Sequence, residues 1–594
     1  MKTSNLTSRE RHILFSDLYE NARAAYSDSL EAFERHYAQY KGSDAIDGSS
    51  ERACAVRNIT YEIIESQISS DIPPPKVDSA CYSERRDRNA KSIERLLSAV
   101  RDKLPYERMN DLDERYTYIY GTSVWYAEWD NSIKIGREVG GVRLYCLPPR
   151  DFIPQPSVTD VRDMEYCFLN FVSTGSDIMS RYGISLEELT ECDSDSCEIE
   201  EYGTYYVTTA FYKDERGEIG KLVFSGERLL LDMPEAYSRK IKICRTCSED
   251  EIDCRCKKKS FITKNVPSEN QNSKNLRLYG GRIPSFTPTL EGGVPTVNED
   301  TGSVMNPTEV PYYTPKSFPI VLRKNTSADG QLLGQSDCEF IRPDQQAINK
   351  LESRILMKLL RAGVMPILPE DATVTVNNSV FGQVIRMKPG ESAAQYGKVD
   401  TTPDVSQDIA EAERLYQHSK RILGISDALQ GIDRATSVES GYARQLKIAQ
   451  AAGRLESKKK MKHTAYADLD RIIFELYLAF ADEPRALIYK DAYGRIHDAQ
   501  FNRYDFIELD LTDGRLYYDD AYLFSVDLNG GAEYQREALW ERNLENLRAG
   551  TLGPPDSPAT LLRYWQCQER AHYPYARENV EYFSLMLENG TGGV

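Results

Sequence analysis

The chain has 594 residues, of which 74 are Lys or Arg and 92 are Asp or Glu, so its formal net charge is −18 at pH 7. Hydrophobic residues make up 40% of it, and no stretch approaches the ~18 consecutive apolar residues of a membrane-spanning helix. The composition therefore excludes a disordered chain and a membrane-spanning bundle. The acidic balance argues against a protein that grips nucleic acid over its whole surface, because phosphate neutralisation needs clustered Lys and Arg.

Helix-like and strand-like segments follow one another in the N-terminal part of the chain. Apolar periodicity predicts helices over 1–45, 56–70 and 88–118, and the second must end before Pro73 because proline has no backbone N–H to donate. Aromatic and β-branched residues over 121–129 predict a strand, and strand-like sequence continues to about residue 225. This succession indicates an α+β fold. The opening residues lack the apolar core of a signal peptide, which predicts a cytoplasmic site of synthesis.

Residues 240–315 interrupt this pattern with polar, Gly- and Pro-rich sequence, and we interpret them as an insertion that carries one small ordered knot. Four cysteines that could close a tetrahedral all-thiolate site lie within 13 residues: Cys244, Cys247, Cys254 and Cys256. Their spacing favours a structural Zn²⁺ ion, because four protein ligands leave no position open for a substrate. The alternatives are that the four cysteines are incidental free thiols, or that they form disulfides late, in an oxidising medium.

Long helices and short β segments alternate after the insertion. Residues 337–361 predict an amphipathic helix whose regular part begins near Pro343, and Asp404 is the expected N-cap of a second helix that ends at Ile422. A small β unit over 364–399 lies between them. The elements that follow are a breaker-containing loop (424–436), a long helix (438–482), strands (487–528) and a helical tail (530–588).

The sequence contains no recognisable catalytic motif: Walker A, GxGxxG, HExxH and GxSxG patterns are all missing. This favours a structural or interaction role over an enzyme. One basic run stands out in the acidic chain, and it comprises Lys458, Lys459, Lys460 and Lys462. Two interpretations stay open for this run. It is either a solvated helix face or a positive surface that faces phosphates once several subunits assemble.

Four segments occur in an informative order: NITYEIIESQISSDIPPPKV (58–77), DLDERYTYIYGTSVWYAEWD (111–130), LRKNTSADGQLLGQSDCEFIRPDQQAINKL (322–351) and SVESGYARQLKIAQAAGRLESK (437–458). In this order they resemble the portal proteins of tailed bacteriophages, the head-to-tail connector family. Each segment alone is a loose match, and the resemblance depends on their co-linearity. The insertion at 240–315 departs from the minimal portal pattern.

The resemblance implies a ring-forming α+β portal fold with a defined order of parts. These are an N-terminal wing (1–336, including the insertion), a first stem helix (337–362), a clip (363–402), a second stem helix (403–423), a tunnel loop (424–436), a long helix with wing strands (437–529) and a crown (530–594). The residues of the tunnel loop that would contact DNA in the channel are Ser426, Asp427, Gln430, Asp433, Arg434 and Thr436.

The function implied by the resemblance is that of a non-enzymatic conduit in the virion, at one vertex of the capsid. A homo-oligomeric ring of about twelve copies would let double-stranded DNA pass during packaging and ejection. Its implied partners are the terminase large subunit, head–tail adaptor proteins, and the major capsid and scaffolding proteins. The alternative is a zinc-stabilised cytoplasmic enzyme that processes nucleic acid through a site without a recognisable motif.

The cysteine cluster yields the first prediction. Replacing Cys247→Ser removes one of four thiolate ligands, so zinc bound per chain in the purified protein should fall, as measured by elemental analysis. Cys192→Ser, outside the cluster, is the control and should leave the zinc content unchanged. Wild-type protein that carries no zinc would contradict the site.

Overall fold

The computed structural model describes most of the chain. The described residues are 3, 6–43, 55–80, 83–135, 138–183, 199–200, 204–237, 239–244, 261–266, 296–297, 304–305, 313–360, 364–367, 376–377, 384–385, 397–400, 403–425, 441–481, 484–490, 496–509, 516–526, 533–555, 557–570, 573 and 576–590. Helices and antiparallel strand pairs follow one another in blocks along the chain, as predicted for an α+β fold.

The helices within these residues have the following bounds: α1 (Ser8–Ala25), α2 (Ser27–Lys41), α3 (Ile59–Glu65), α4 (Glu84–Lys103), α5 (Tyr106–Tyr120), α6 (Gly175–Tyr182), α7 (Asp337–Leu360), α8 (Ser406–Leu423), α9 (Gly441–Phe480), α10 (Glu533–Arg548), α11 (Pro558–Arg570) and α12 (Ala576–Gly590).

The strands have these bounds: β1 (Pro75–Ser79), β2 (Thr122–Ile135), β3 (Glu138–Leu147), β4 (Phe152–Pro154), β5 (Tyr166–Thr174), β6 (Ile199–Glu200), β7 (Thr204–Lys213), β8 (Ile219–Ser225), β9 (Arg228–Met233), β10 (Arg239–Cys244), β11 (Phe261–Val266), β12 (Thr296–Val297), β13 (Val304–Met305), β14 (Ile320–Lys324), β15 (Val364–Ile367), β16 (Val376–Asn377), β17 (Val384–Ile385), β18 (Gly397–Asp400), β19 (Arg485–Lys490), β20 (Ile496–Phe501), β21 (Ile507–Leu509), β22 (Leu516–Tyr518) and β23 (Tyr522–Val526).

Two sheets carry most of the N-terminal half. One has the strand order β14-β2-β3, and the other the order β4-β5-β7-β8-β9 with β6 paired to β7; every strand pairing is antiparallel. Helix α1 packs on the second sheet, where Phe15 contacts Phe168 and Tyr212. The C-terminal half of α9 packs across the first sheet and against β23. The largest apolar core forms there, around Trp125, Tyr466 and Phe474.

The N-terminal helices are more finely divided than the periodicity predicts. The segment predicted as one helix over 88–118 is two helices, α4 and α5, separated at Leu104 and Pro105. Pro105 is the N-cap of α5 and lacks the amide that a continuous helix would need there. Likewise the segment 1–45 divides into α1 and α2 at Tyr26, and α3 is shorter than predicted at both ends.

One helix in the second half begins where it was predicted to, and another does not. Helix α7 begins at Asp337, as predicted, but it is regular from there rather than from Pro343, because the missing amide costs only the bond to the carbonyl of Glu339, a residue exposed to water. The N-cap of α8 is Val405 rather than Asp404. The Asp404 carboxylate lies one residue before this N-cap and accepts a hydrogen bond from the backbone N–H of Ser406 at 2.9 Å.

Two glycines face each other where α5 turns into β2. Gly121 ends α5 with φ of +89°, and a Cβ atom added to it would lie 2.4 Å from the carbonyl oxygen of Gly334. A Cβ added to Gly334 would in turn lie 2.5 Å from the carbonyl oxygen of Gly121. The backbone N–H of Gly334 also donates to the Thr122 hydroxyl at 2.8 Å. The segment before α7 is therefore in direct backbone contact with the α5–β2 turn.

This contact predicts that Gly121→Ala destabilises the protein more than an ordinary helix-end glycine substitution. The methyl group meets both left-handed backbone strain and a main-chain atom, so we expect a loss of about 3 kcal/mol in the free energy of unfolding. Gly183→Ala is the matched control, because Gly183 ends α6 with φ of +72° and no atom within 4 Å of an added Cβ; it should cost about 1 kcal/mol. Equal losses in denaturant titrations would contradict the close contact.

Candidate functional site: a buried cluster of charges

The residues of the tunnel loop that were predicted to contact DNA, from Ser426 to Thr436, lie outside the described residues. The same is true of Cys247, Cys254 and Cys256, while Cys244 is the last residue of β10, where its backbone pairs with Phe261. Among the described residues, no group of three or more His, Cys, Asp or Glu side chains is arranged to hold a metal ion. The zinc site and the DNA contacts of the tunnel loop stay predictions.

The basic run on α9 divides into two faces. Lys459 and Lys460 are exposed, and Lys460 makes a surface ion pair with Glu456 at 3.0 Å. Lys458 and Lys462 are four residues apart and therefore lie on one face of the helix. That face points into the protein, where the Lys462 side chain is only 6% exposed. The phosphate-facing interpretation thus stays a prediction for Lys459 and Lys460, while the other two ammonium groups are bound within the chain.

Lys462 lies in a pocket of oxygen atoms contributed by distant parts of the sequence. Its Nζ lies 2.9 Å from Oε1 of Glu114 on α5 and donates to the carbonyl oxygen of Asp71 at 2.6 Å. It also lies 5.7 Å from the centre of the Tyr466 ring, one turn further along α9. The pocket joins α9 to α5 and to the segment between α3 and β1.

Arg323 provides the second positive charge of this region. The register of β14 against β2 places it opposite Ser123, and its guanidinium contacts the carboxylates of both Asp113 and Glu114, the latter at 2.9 Å. The remaining lone pairs of Asp113 accept from the Ser123 hydroxyl and from Nε1 of Trp125 at 2.8 Å. Arg323 and both carboxylates are almost completely buried.

The buried charges stabilise each other in their ionised forms. Burial alone would raise the pKa of the Glu114 carboxyl, but the positive charges of Arg323 and Lys462 outweigh it and hold that pKa below its ordinary value of 4.5. Burial likewise opposes the charge on Arg323, yet the adjacent Asp113 and Glu114 carboxylates raise the pKa of its guanidinium. Each charge therefore depends on the others for its compensation.

A second group of charges continues the first along α9. Nζ of Lys458 lies 2.7 Å from Oδ2 of Asp337, which is fully buried and begins α7. The same carboxylate accepts from the side-chain amides of Asn325 at 2.7 Å and Gln67 at 3.0 Å. A carboxylate in the first turn of a helix also interacts favourably with the helix dipole. We call the full set the charge cluster: Asp113, Glu114, Arg323, Asp337, Lys458 and Lys462.

The charge cluster contains three acids and three bases, so its formal charges cancel. Each charged group is bonded to others inside the chain, which makes the cluster a junction between α5, β14, α7 and α9 rather than a site poised for proton transfer. The paired charges hold these four elements in one arrangement. Loss of one member of the cluster would leave a buried charge without its partner, and an isolated buried charge costs several kcal/mol.

Helices α7 and α8 form an antiparallel pair that extends from the charge cluster. Near the start of α7, Asp344 accepts from the Ser419 hydroxyl at 2.9 Å and lies 2.8 Å from Nδ1 of His418. Near its end, Lys358 pairs with Asp408. These two polar contacts fix the register of the pair on either side of Ile348, which is buried against the residues of α3.

The acidic half of the charge cluster and Arg323 were not predicted from the sequence. One signal was available for Arg323, because it stands in the apolar strand IVLRK at a position that faces inward. A cation at such a position predicts a buried anion nearby. For Asp113 and Glu114 the sequence holds no such signal, since they belong to a strongly charged helix.

Comparison with known proteins leaves the family open: no protein-family model and no curated protein matches the chain. None of the described helices combines the length and the apolar character that crossing a bilayer requires.

The charge cluster predicts a large cost for removing Arg323. In Arg323→Met an unbranched apolar side chain replaces the guanidinium, and Asp113 and Glu114 lose their shared cation, so the free energy of unfolding should fall by about 3–5 kcal/mol. Lys460→Met is the control on the exposed side of the basic run and should cost less than about 0.5 kcal/mol. Denaturant titrations at pH 7 measure both. A loss no larger than that of the control would mean that the buried pairs contribute little.

Proposed function

We propose that this chain is the portal protein of a tailed bacteriophage, a non-enzymatic ring that forms a channel for double-stranded DNA at one capsid vertex. The observation that carries the proposal is the path of the chain between Asp337 and Lys458. The chain leaves the charge cluster at one and returns at the other, and the two side chains form an ion pair at 2.7 Å. The segment between these two residues, from the start of α7 to the middle of α9, is therefore a single excursion from the charge cluster, and its two ends contact each other.

The content of this excursion matches the order that the resemblance implies. Helix α7 leads out, paired strands β15–β18 and β16–β17 follow, helix α8 leads back, and residues 426–440 precede α9. In a portal protein these would be stem, clip, stem and tunnel loop. The antiparallel α7–α8 pair with polar contacts near both ends would support the clip at a distance from the wing.

The surface of the α7–α8 pair supports assembly into a ring. Large apolar side chains are exposed on both helices: Phe340 (38%), Leu359 (52%), Leu360 (69%), Ile409 (53%) and Ile422 (45%). Their concentration on one helical pair is unfavourable in water and favourable in an interface. A ring requires two different surfaces on each subunit that meet head to tail and close by rotation.

The partners follow from this assignment. The clip over 363–402 would bind the terminase large subunit during packaging and head–tail adaptor proteins afterwards, while capsid and scaffolding proteins would surround the ring. The tunnel loop, with Arg434 among its residues, would approach the DNA. The exposed lysines Lys459 and Lys460 follow that loop on α9 and are available for phosphate contacts in the assembled channel.

The size of the native protein tests the proposal. Purified full-length protein should sediment as an assembly on the order of twelve copies of the 67.6 kDa chain, with a central hole in negative-stain images. A stable compact monomer at micromolar concentration would overturn it.

The exposed apolar residues predict which substitution prevents assembly. Ile409→Asp places a charge on the outer side of α8, where folding of the subunit is little affected because the side chain is already half exposed. We expect a shift from ring to free subunits, measured by analytical ultracentrifugation. Gln407→Asp adds the same charge at an exposed polar position of the same helix and should still form rings. If the Ile409→Asp variant formed rings of normal stability, this side of α8 would not belong to the subunit interface.

A further inference from the structure

The two sides of the α7–α8 pair differ in what covers them. On one side, residues 55–65 lie across both helices. The Arg57 guanidinium lies 4.0 Å from a carboxylate oxygen of Glu352 on α7 and 3.2 Å from one of Glu413 on α8. The side-chain amide of Gln345 on α7 donates to the backbone carbonyl of Arg57 at 2.8 Å. This side of the pair is therefore joined to the body of the subunit.

The other side of the pair faces away from that segment. On α7, Lys350 and Arg354 each lie two residues from Glu352, which places them about 200° from it around the helix axis. On α8, His418 lies two residues from Tyr416, whose ring faces the guanidinium of the covering segment at 5.1 Å. The same rotation separates these two side chains. Arg354 and His418 are both more than half exposed on this other side.

This outer side carries an excess of positive charge. Arg414 lies one turn before His418 and adds a third base to Lys350 and Arg354. Among the described residues of this side, the opposing acid is Glu411, which already pairs with Arg414 at 2.5 Å. The carboxylates between the two helices, those of Asp344 and Asp408, are buried there. The excess of bases contrasts with the net charge of −18 of the whole chain.

Two exposed apolar side chains continue this side toward the charge cluster. Ile422 lies one turn after His418 on α8, and Phe340 lies about four turns before Arg354 on α7. Apolar groups that stay exposed on a subunit indicate a contact with a partner. We call this side the basic face: Phe340, Lys350, Arg354, Arg414, His418 and Ile422.

The side that residues 55–65 cover has the opposite charge. The carboxylates of Glu352 and Glu413 share the Arg57 guanidinium, and the Glu62 carboxylate next to them accepts from the Tyr416 hydroxyl. These acids outnumber the base among the described residues that they surround. Two exposed apolar side chains complete this side, which we call the acidic face: Arg57, Tyr61, Glu62, Glu352, Ile409 and Glu413.

The charges of the two faces lie at matching levels along the helical pair. Lys350 and Arg354 lie about half a turn before and after Glu352, and Arg414 directly follows Glu413. A second copy placed beside the first, without a shift along the helices, brings these cations to the level of those carboxylates. A closed ring favours such an arrangement, because all its copies lie at one height along the ring axis.

We infer that the basic face of one copy binds the acidic face of the next, so that subunits join head to tail through their α7–α8 pairs. The contact deepens the proposed function and rests on it, because a ring needs two different surfaces on each subunit. Pairing basic with basic or acidic with acidic faces would bring like charges together, which disfavours a twofold dimer. The exposed apolar side chains of both faces leave water in the same contact.

Two full-length variants, each with one damaged face, test this contact. Lys350→Glu with Arg414→Glu reverses the basic face, and Ile409→Lys replaces an apolar group of the acidic face by a cation. Each variant alone should remain a single subunit at micromolar concentration in analytical ultracentrifugation, because only one kind of face is intact. An equimolar mixture should form one-to-one dimers of twice the chain mass, since one contact per pair can form. Arg88→Glu with Lys91→Glu, two exposed bases of α4, is the control and should assemble as wild type.

Assembly of either variant alone, or a mixture that forms no dimers, would overturn the contact. Wild-type assembly should also weaken as salt rises from about 0.1 M to about 1 M, because the screening length falls from about 10 Å to about 3 Å. Assembly that is independent of salt would contradict the charge pairing. Wild-type protein that forms open head-to-tail chains would overturn the channel and leave the contact standing, whereas closed rings of both variants would overturn the contact and leave the channel standing.

Discussion

The arrangement of this protein depends on six charged side chains that are paired in its interior. Removing a carboxylate or a guanidinium from water costs several kcal/mol, and only a partner at hydrogen-bonding distance offsets that cost. Asp113 and Glu114 can be buried only if Arg323 and Lys462 are buried with them. Because these residues come from α5, β14 and α9, their pairing selects one relative position of the three elements. Apolar packing alone would allow several relative positions of these elements.

Helix α9 links the charge cluster to other parts of the protein. Its middle returns the chain to the charge cluster through Lys458, and its next turns form the main apolar core around Tyr466. Its last turns contact the chain on both sides of the insertion, where Phe480 packs against Tyr237 and Glu475 accepts from Ser317. Two large segments are therefore attached to one rigid helix, each by ends that lie close together. In a ring-forming channel protein, such a helix would connect the part that contacts neighbours and DNA with the part that carries the insertion.

The extent to which the fold follows from the sequence differs between its elements. The apolar periodicity of α7, α8 and α9 is strong enough to predict their existence and type, and the fold class follows from the succession of helices and strands. The breaks at Tyr26 and Pro105, and the N-cap of α8 at Val405, were not predicted. Helix ends depend on a few backbone hydrogen bonds, and packing against neighbours outweighs the local preference there.

The sequence by itself determined an acidic α+β chain, its long helices and the presence of a basic run on α9. Only the tertiary structure decided that Lys458 and Lys462 are internal ion-pair partners while Lys459 and Lys460 face solvent. The four lysines have the same chemistry and nearly the same neighbours in sequence. What separates them is the 100° turn per residue of a helix whose inner face meets Asp337 and Glu114, and the positions of those carboxylates are set by contacts more than a hundred residues away along the chain.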